Sequence, residues 1–327
     1  MKVVIALSHP FELWNAPAWL AERLGRDFPK VSFRDLGGYE GLDREIVDAE
    51  VLFGWSLRPQ QLAAARTLRW VHSPAAAVHQ LIFPEMIASA VVLTNAREVH
   101  GPVVAEHAIA LVLALAKRLP SAMRCQQRHV WGQQEMWQER PRPREVQDAT
   151  LGLIGLGSIG REVAKRARAL GMRVVAVREH PQKGSDGADA VHGPAETDRM
   201  LAQADYVVIA APITSATQFL FDAERLAHMK PDACLINVSR GQLVDEAALA
   251  DALRRKKIAG AALDVFSVEP LPPESPLWEL DNLLITPHTA AVTEKLWERH
   301  YALMRENLRR YLAGEALLGM VDKLKGY

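Results

Sequence analysis

Cysteine is almost missing from this chain. Cys125 and Cys234 are the only two in 327 residues, far apart and in unlike contexts. A disulfide framework is thereby excluded, and a reducing, cytoplasmic compartment is expected. Net charge is missing too, because 39 Lys and Arg balance 39 Asp and Glu. A nucleic-acid binder normally carries a basic stripe, so no nucleic-acid partner is expected. No apolar run reaches the ~18 residues that a membrane span needs, so no membrane partner is expected either. The longest run, Val103 to Ala116, is interrupted by Glu106 and His107 and reads as a buried helix. The opening Met1-Lys2-Val3-Val4-Ile5-Ala6-Leu7 is too short for a signal-peptide core and reads as a β-strand. His-Glu-x-x-His, paired Cys-x-x-Cys and Asp-rich loops are absent, so no metal is expected. A Gly-x-Ser-x-Gly nucleophile elbow is absent as well.

What remains is a pattern of short apolar runs separated by helical stretches. Val3–Leu7, Val51–Trp55, Trp70–His72 and Val91–Thr94 read as buried strands, with helices over Ala18–Arg26 and Gln60–Thr67 between them. A second series starts near Thr150: Leu151–Ile154, Arg173–Val177, Tyr206–Ala210, Cys234–Val238, Gly260–Asp264 and Leu283–Thr286. Strand–helix alternation of this kind predicts an α/β fold with mostly parallel sheets, covered on both faces. Between the two series, an apolar helix from Gly101 to about Leu119 is expected to stop at Pro120, followed by a segment holding Trp131 and Trp137. The last helix spans roughly Thr293–Ala313 and ends at Gly314.

The sharpest local signal is Gly155-Leu156-Gly157-Ser158-Ile159-Gly160, placed between a strand and a helix. That context is what a dinucleotide loop requires. Gly155 permits the tight turn, Gly157 admits the pyrophosphate and Gly160 lets helix and strand pack closely. The amides of Ser158 and Ile159 then face the phosphates from a helix N-terminus. At the end of the next strand, where enzymes that use NAD usually carry an acidic residue, stand Arg178 and, nearby, Lys183. A guanidinium suits a 2′-phosphate, so NADPH is the expected cofactor. Glu179 keeps NAD possible.

Three later strands each deliver ionisable residues to one sheet edge: Arg240, then Asp264 and Glu269, then His288. Reduction of a 2-oxo acid needs a cation for the carboxylate, a proton donor for the developing alkoxide and an anion that keeps the donor charged. Arg240, His288 and Glu269 match those needs.

These segments resemble the D-isomer-specific 2-hydroxyacid dehydrogenase family. The likeness is carried by Gly155 to Gly160, Asn237-Val238-Ser239-Arg240-Gly241 with Val244-Asp245-Glu246, Asp264-Val265-Phe266 with Glu269-Pro270, and Pro287-His288-Thr289. It implies two Rossmann-like doubly wound domains with an active-site cleft between them. Residues 1–98 with 289–327 would form the substrate domain, and 99–288 the dinucleotide-binding domain with a dimerisation helix and arm. It implies Arg240 as substrate clamp, His288 as acid/base and Glu269 as its partner. Asp264 and the backbone at Val238 would hold the nicotinamide carboxamide, and Pro212 and Thr217 would lie along the cofactor. The backbone of Ala76 and Ala77 would take the substrate carboxylate. There the chain departs from the family, with Ala77 and His79 where glycine and Asp are common. Trp55, Leu57 and Arg58 are candidates to line the substrate side. The implied activity is interconversion of small 2-oxo acids and D-2-hydroxy acids, of the glyoxylate or hydroxypyruvate type, by a homodimer. Two other readings stay open: a dinucleotide-sensing scaffold similar to corepressors of this fold, and a formate- or phosphite-type dehydrogenase.

Overall fold

The computed structural model describes residues 1–326. The chain divides into two compact units, one of residues 1–100 with the segment from Val292 on, the other Gly101–Ala291.

In the first unit, β1 (Lys2–Ala6), β2 (Ser32–Asp35), β3 (Val51–Gly54), β4 (Trp70–Ser73) and β5 (Val92–Asn95) form one sheet in the order β2-β1-β3-β4-β5. Every pairing is parallel, and this order is that of a flavodoxin-like doubly wound sheet. β1, β3 and β4 are buried almost throughout, which is why they read as apolar runs. β2 was not legible in that way, because its Ser-Phe-Arg-Asp is an edge strand exposed at most positions. The final helix, Leu296–Ala313, belongs to this unit: Leu296, Leu303, Met304 and Leu308 join Val3, Ile5, Phe53 and Trp70 in one core. Gly314 ends it at φ 69, a left-handed turn that costs glycine nothing.

In the second unit, seven parallel strands follow: β6 (Thr150–Ile154), β7 (Arg173–Val177), β8 (Ala190–His192), β9 (Tyr206–Ile209), β10 (Cys234–Asn237), β11 (Gly260–Leu263) and β12 (Leu283–Ile285). Their order is β12-β11-β10-β9-β6-β7-β8. The order therefore reverses between β6 and β9, the switch point outside which ligands bind in such sheets. β8 is a half-buried edge strand and left no apolar run to find.

The long helix runs over Arg97–Ala116, not Gly101–Leu119. Its end is not set by Pro120. Arg118 turns the chain at φ 56, and Pro120 sits in the first turn of a new helix, Leu119–Gln127, where the absent N–H costs nothing. By length and composition alone the Arg97–Ala116 helix could cross a membrane. Ala105, Ala108, Val112 and Leu115 instead bury it in the core beneath β6, β9 and β10.

Candidate active site

The Gly155–Gly160 loop joins β6 to a helix over Ser158–Ala169. Its three glycines have separate reasons. Gly155 turns at φ 92, and a β-carbon there would lie 2.8 Å from the Ala210 carbonyl oxygen. A β-carbon at Gly160 would come within 2.2 Å of the Gly155 carbonyl oxygen. At Gly157 a β-carbon would meet nothing within 4 Å. The loop is thus tight against β9 and against its own helix, and open on the side of Gly157. Ser158 and Ile159 form the first turn of the helix, and the positive end of the helix dipole lies there. A pyrophosphate fits that cradle.

After β7, Arg178 does not stand open. Its Nη1 donates to Asp186 Oδ2 at 2.7 Å and reaches the Gly184 carbonyl at 3.4 Å. Asp186 is held there at φ 45, flanked by Gly184 at φ 104 and Gly187 at φ 89. Lys183 is exposed. After β9, Thr217 Oγ1 donates to the Pro212 carbonyl at 2.7 Å and accepts from the Thr214 amide at 2.8 Å. Pro212 and Thr217 are therefore two ends of one closed loop.

The loop after β10 is braced from below. Buried Asn237 donates through Nδ2 to the Arg240 carbonyl at 2.8 Å and accepts from the Ser239 amide at 3.1 Å. Ser239 Oγ donates to the Ala211 carbonyl, which ties this loop to the one after β9. Val238 is buried between them. Gly241 is obligatory, since a β-carbon there would overlap the Phe266 backbone at 1.9 Å. Glu246 accepts from the Ser267 amide at 2.6 Å. The Asn237–Glu246 segment is thus a frame that presents Arg240 beside the segment bearing Glu269. Burial pulls the Arg240 guanidinium below its usual range, opposed by the charge of Glu269.

Glu269 Oε1 accepts from the Phe266 amide at 2.8 Å, and Oε2 meets His288 Nδ1 at 2.6 Å. Burial alone would raise its carboxyl. The His288 and Phe266 hydrogen bonds and the His288 and Arg240 charges together outweigh that, so Glu269 lies below the usual carboxylate range. With Nδ1 engaged, His288 has Nε2 left for a substrate, and its side chain is about half exposed (48%).

His288 adopts φ 53, an uncommon state for a residue with a β-carbon. Asp264 explains how it is held. The Asp264 carbonyl accepts from the His288 amide at 2.9 Å. Its Oδ1 accepts from Thr289 N at 2.9 Å and Thr286 Oγ1 at 2.5 Å, and its Oδ2 from Ala290 N at 2.9 Å. Buried Asp264 therefore organises the loop that carries His288, a task the sequence reading did not assign to it. His107 was missed altogether. It reaches Thr286 Oγ1 at 3.0 Å and lies 3.5 Å from Asp264, a link across 179 positions with no local signature.

In the first unit, the Ala76 carbonyl accepts from Asn95 Nδ2 at 2.6 Å, which fixes the Ala75–Ala77 loop beyond β4. Ala77 is not among the residues at positive φ, so the missing glycine is tolerated there. Leu57 is part of the core, and Arg58 stands at the N-cap position of the next helix and pairs with Asp43 at 2.7 Å. Trp55 is half-buried.

The comparison with known proteins decides the family. Residues 109–290 match the model of the D-isomer specific 2-hydroxyacid dehydrogenase, NAD binding domain.

The chain belongs to the D-isomer-specific 2-hydroxyacid dehydrogenase family.

Among its relatives, a glyoxylate reductase of Korarchaeum cryptofilum is 32% identical over 89% of this dehydrogenase and 84% of its own length. A D-3-phosphoglycerate dehydrogenase of Methanocaldococcus jannaschii is also 32% identical, and this chain spans 53% of that protein's length. A solved D-isomer specific 2-hydroxyacid dehydrogenase from Xanthobacter autotrophicus, in complex with NADPH and MES, is 31% identical with a TM-score of 0.81, covering 100% of this chain and 99% of that one. The family is one of NAD(P)-dependent D-2-hydroxyacid dehydrogenases, which supports an oxidoreductase.

Proposed function

We propose that the protein reduces small 2-oxo acids, glyoxylate and hydroxypyruvate among them, to D-2-hydroxy acids, with NADPH preferred and NADH usable. The observation that carries this reading is the His288–Glu269 contact of 2.6 Å within range of the Arg240 charge, in the unit whose first βα turn is the Gly155–Gly160 cradle. Gly155, Gly157, Ser158, Ile159 and Gly160 would hold the pyrophosphate. Pro212, Thr217, Val238 and Asp264 would flank the nicotinamide end, and Arg178 and Lys183 the adenosine end. A bound dinucleotide supplies the hydride. Arg240 pairs with the substrate carboxylate and polarises the C2 carbonyl. The amides of Ala76 and Ala77, on the loop beyond β4, are the donors this reading assigns to a substrate carboxylate in the first unit. His288 gives its Nε2 proton to the carbonyl oxygen as charge develops there. Glu269 fixes the imidazole through Nδ1, so that Nε2 is the nitrogen that gives the proton.

The same reading takes the protein to be a homodimer. Trp131 is 91% exposed and Trp137 56% exposed on the arm that follows the long helix, with Met123 and Val130 exposed beside them. Large apolar side chains in such a run mark association surfaces. Free, buried Cys125 and Cys234 suit a reducing cytoplasm. Glyoxylate, hydroxypyruvate, pyruvate, formate and phosphite, each offered with the matching form of NADP and of NAD, test the function at the nicotinamide absorbance. Turnover confined to formate or phosphite, or none at all, would refute it.

A further inference from the structure

One feature of the first unit lies outside the chemistry above. Aromatic residues make up only 6% of the chain, yet several gather just beyond the carboxyl ends of β1 and β3. Trp14 and Trp55 meet at 6.0 Å and 80°, Phe11 and Trp14 at 6.2 Å and 71°, and His9 and Trp55 at 5.7 Å. Strand register puts this cluster beside the loop after β4. Ala6 pairs with Gly54, and Phe53 with His72, so the chain leaves the sheet at Trp55 one strand away from Pro74. A side-chain path makes the same link. Trp14 touches His100 at 6.3 Å, and His100 Nε2 lies 3.3 Å from the Pro74 carbonyl. The aromatic wall therefore adjoins the Ala75–Ala77 loop at the carboxyl edge of one parallel sheet, where ligands of such sheets bind.

The cluster is not closed like the core beneath it. The indole nitrogens of Trp70 and Trp297 donate to Thr94 Oγ1 and the Leu13 carbonyl, each at 2.8 Å. Trp55 Nε1 is buried and has no partner among the described residues, although a buried indole N–H usually finds one. Phe11 leaves 49% of its surface open, and His9 is exposed. The contacts are largely edge-to-face, an arrangement that offers further ring faces and edges to another aromatic group. The hydrogen on C2 of glyoxylate or the hydroxymethyl on C2 of hydroxypyruvate would gain nothing from it.

From this we infer that the His9–Phe11–Trp14–Trp55 wall is the side-chain subsite, and that the preferred substrates are 2-oxo acids with an aryl group on C3. This rests on the 2-oxo acid reductase reading and narrows it. The test is kcat/KM for phenylpyruvate and for hydroxypyruvate at saturating NADPH, in the wild type and in Phe11→Ala, Trp55→Leu and Trp55→Phe. Circular dichroism checks that each variant is folded. Phenylpyruvate is expected to exceed hydroxypyruvate by about ten-fold or more. That ratio should fall several-fold in Phe11→Ala and Trp55→Leu and be largely kept in Trp55→Phe. A wild-type ratio of one or below, or a ratio unmoved by both Phe11→Ala and Trp55→Leu, overturns the aryl subsite. Turnover of hydroxypyruvate or glyoxylate without phenylpyruvate overturns the subsite alone, whereas turnover of no 2-oxo acid overturns the reductase reading with it.

Discussion

Arg178 and Asp186 form an ion pair of 2.7 Å at the end of β7, with the Arg178 side chain mostly covered. The carboxylate sits where a 2′-phosphate would have to bind if Arg178 selects NADP. Asp186 then competes with that phosphate for one guanidinium, and NADPH must displace it. Arg178→Ala is expected to lower kcat/KM for NADPH by about ten-fold or more while changing NADH little. Asp186→Asn should do the opposite and lower KM for NADPH. Asp186 is partly exposed, so screening limits the gain to a few-fold. Measured kcat/KM for both dinucleotides checks the pair. A wild type that favours NADH, or an Arg178→Ala enzyme that loses both equally, would remove Arg178 from cofactor choice.

His288→Ala and Arg240→Ala test the chemistry. Losing a general acid or a charge clamp costs roughly two or more orders of magnitude in rate. The two should fail differently. His288→Ala is expected to lower kcat for 2-oxo acid reduction with little change in KM. Arg240→Ala should raise KM as well, because it grips the carboxylate. His288 is half exposed and supports no core, so its variant should melt near the wild-type temperature. Near-normal kcat/KM in either variant would break the assignment.

Glu269→Gln keeps the size of the side chain and removes its charge. The imidazole of His288 then loses the anion that accepts from Nδ1 at 2.6 Å. kcat for reduction is expected to fall at neutral pH, and the pH profile to differ in shape from that of the wild type. Glu269 itself lies below the usual carboxylate range, so the wild-type acid limb should not come from its protonation until below about pH 4.5. A variant profile that overlays the wild type would deny Glu269 its part.

What was legible in the sequence was whatever burial or chain proximity writes locally. β3, β4, β9 and β10 are buried at every position, so their composition alone marked them. The edge strands β2 and β8 carry no such mark, because an exposed edge is held by backbone pairing and constrains side chains little. Gly155 and Gly160 were legible because close backbone approach permits only glycine. Pairings made by the fold were not legible. His107 meets Thr286 from a helix far away in sequence. Asp186 reaches Arg178 only because the chain at positions 184, 186 and 187 takes positive φ. Pro120 misled in another way: a proline that can end a helix can equally begin one.

Asp264 offers a test that separates positioning from cofactor contact. Asp264→Ala would strand the buried Ala290 amide and the half-buried Thr289 amide and Thr286 hydroxyl. Each unmet donor costs about 1–3 kcal/mol, and the sum is not additive. Thermal unfolding should therefore fall by several degrees. His288 would no longer be held at φ 53, so kcat should drop even where dinucleotide affinity, read by fluorescence titration, survives. Lost dinucleotide affinity with an unchanged melting temperature would assign Asp264 to the cofactor and not to the loop.

Two buried histidines, His72 and His300, set a pH limit on the first unit. His72 is fully buried, with Nδ1 on Thr94 Oγ1 at 2.8 Å and Nε2 unpartnered among the described residues, and burial pushes it down to about 3. His300, tilted against Trp297 and edge-on to His100 with ring centres 5.6 Å apart, is driven well below its ordinary value by burial, then by the charges of His100 and His72. Above pH 6.5 these groups are neutral whether the chain is folded or not, and stability does not depend on them. Below 6.5 the unfolded chain takes up protons that the folded unit refuses, so stability is lost as pH falls towards about 3. At pH 5 that loss is about 2 kcal/mol for one such histidine. Melting temperatures at pH 8, 6 and 5 should fall in that order, and His72→Gln should flatten the slope. A wild type that melts at the same temperature at pH 5 as at pH 8 would mean that these imidazoles take up protons inside the fold.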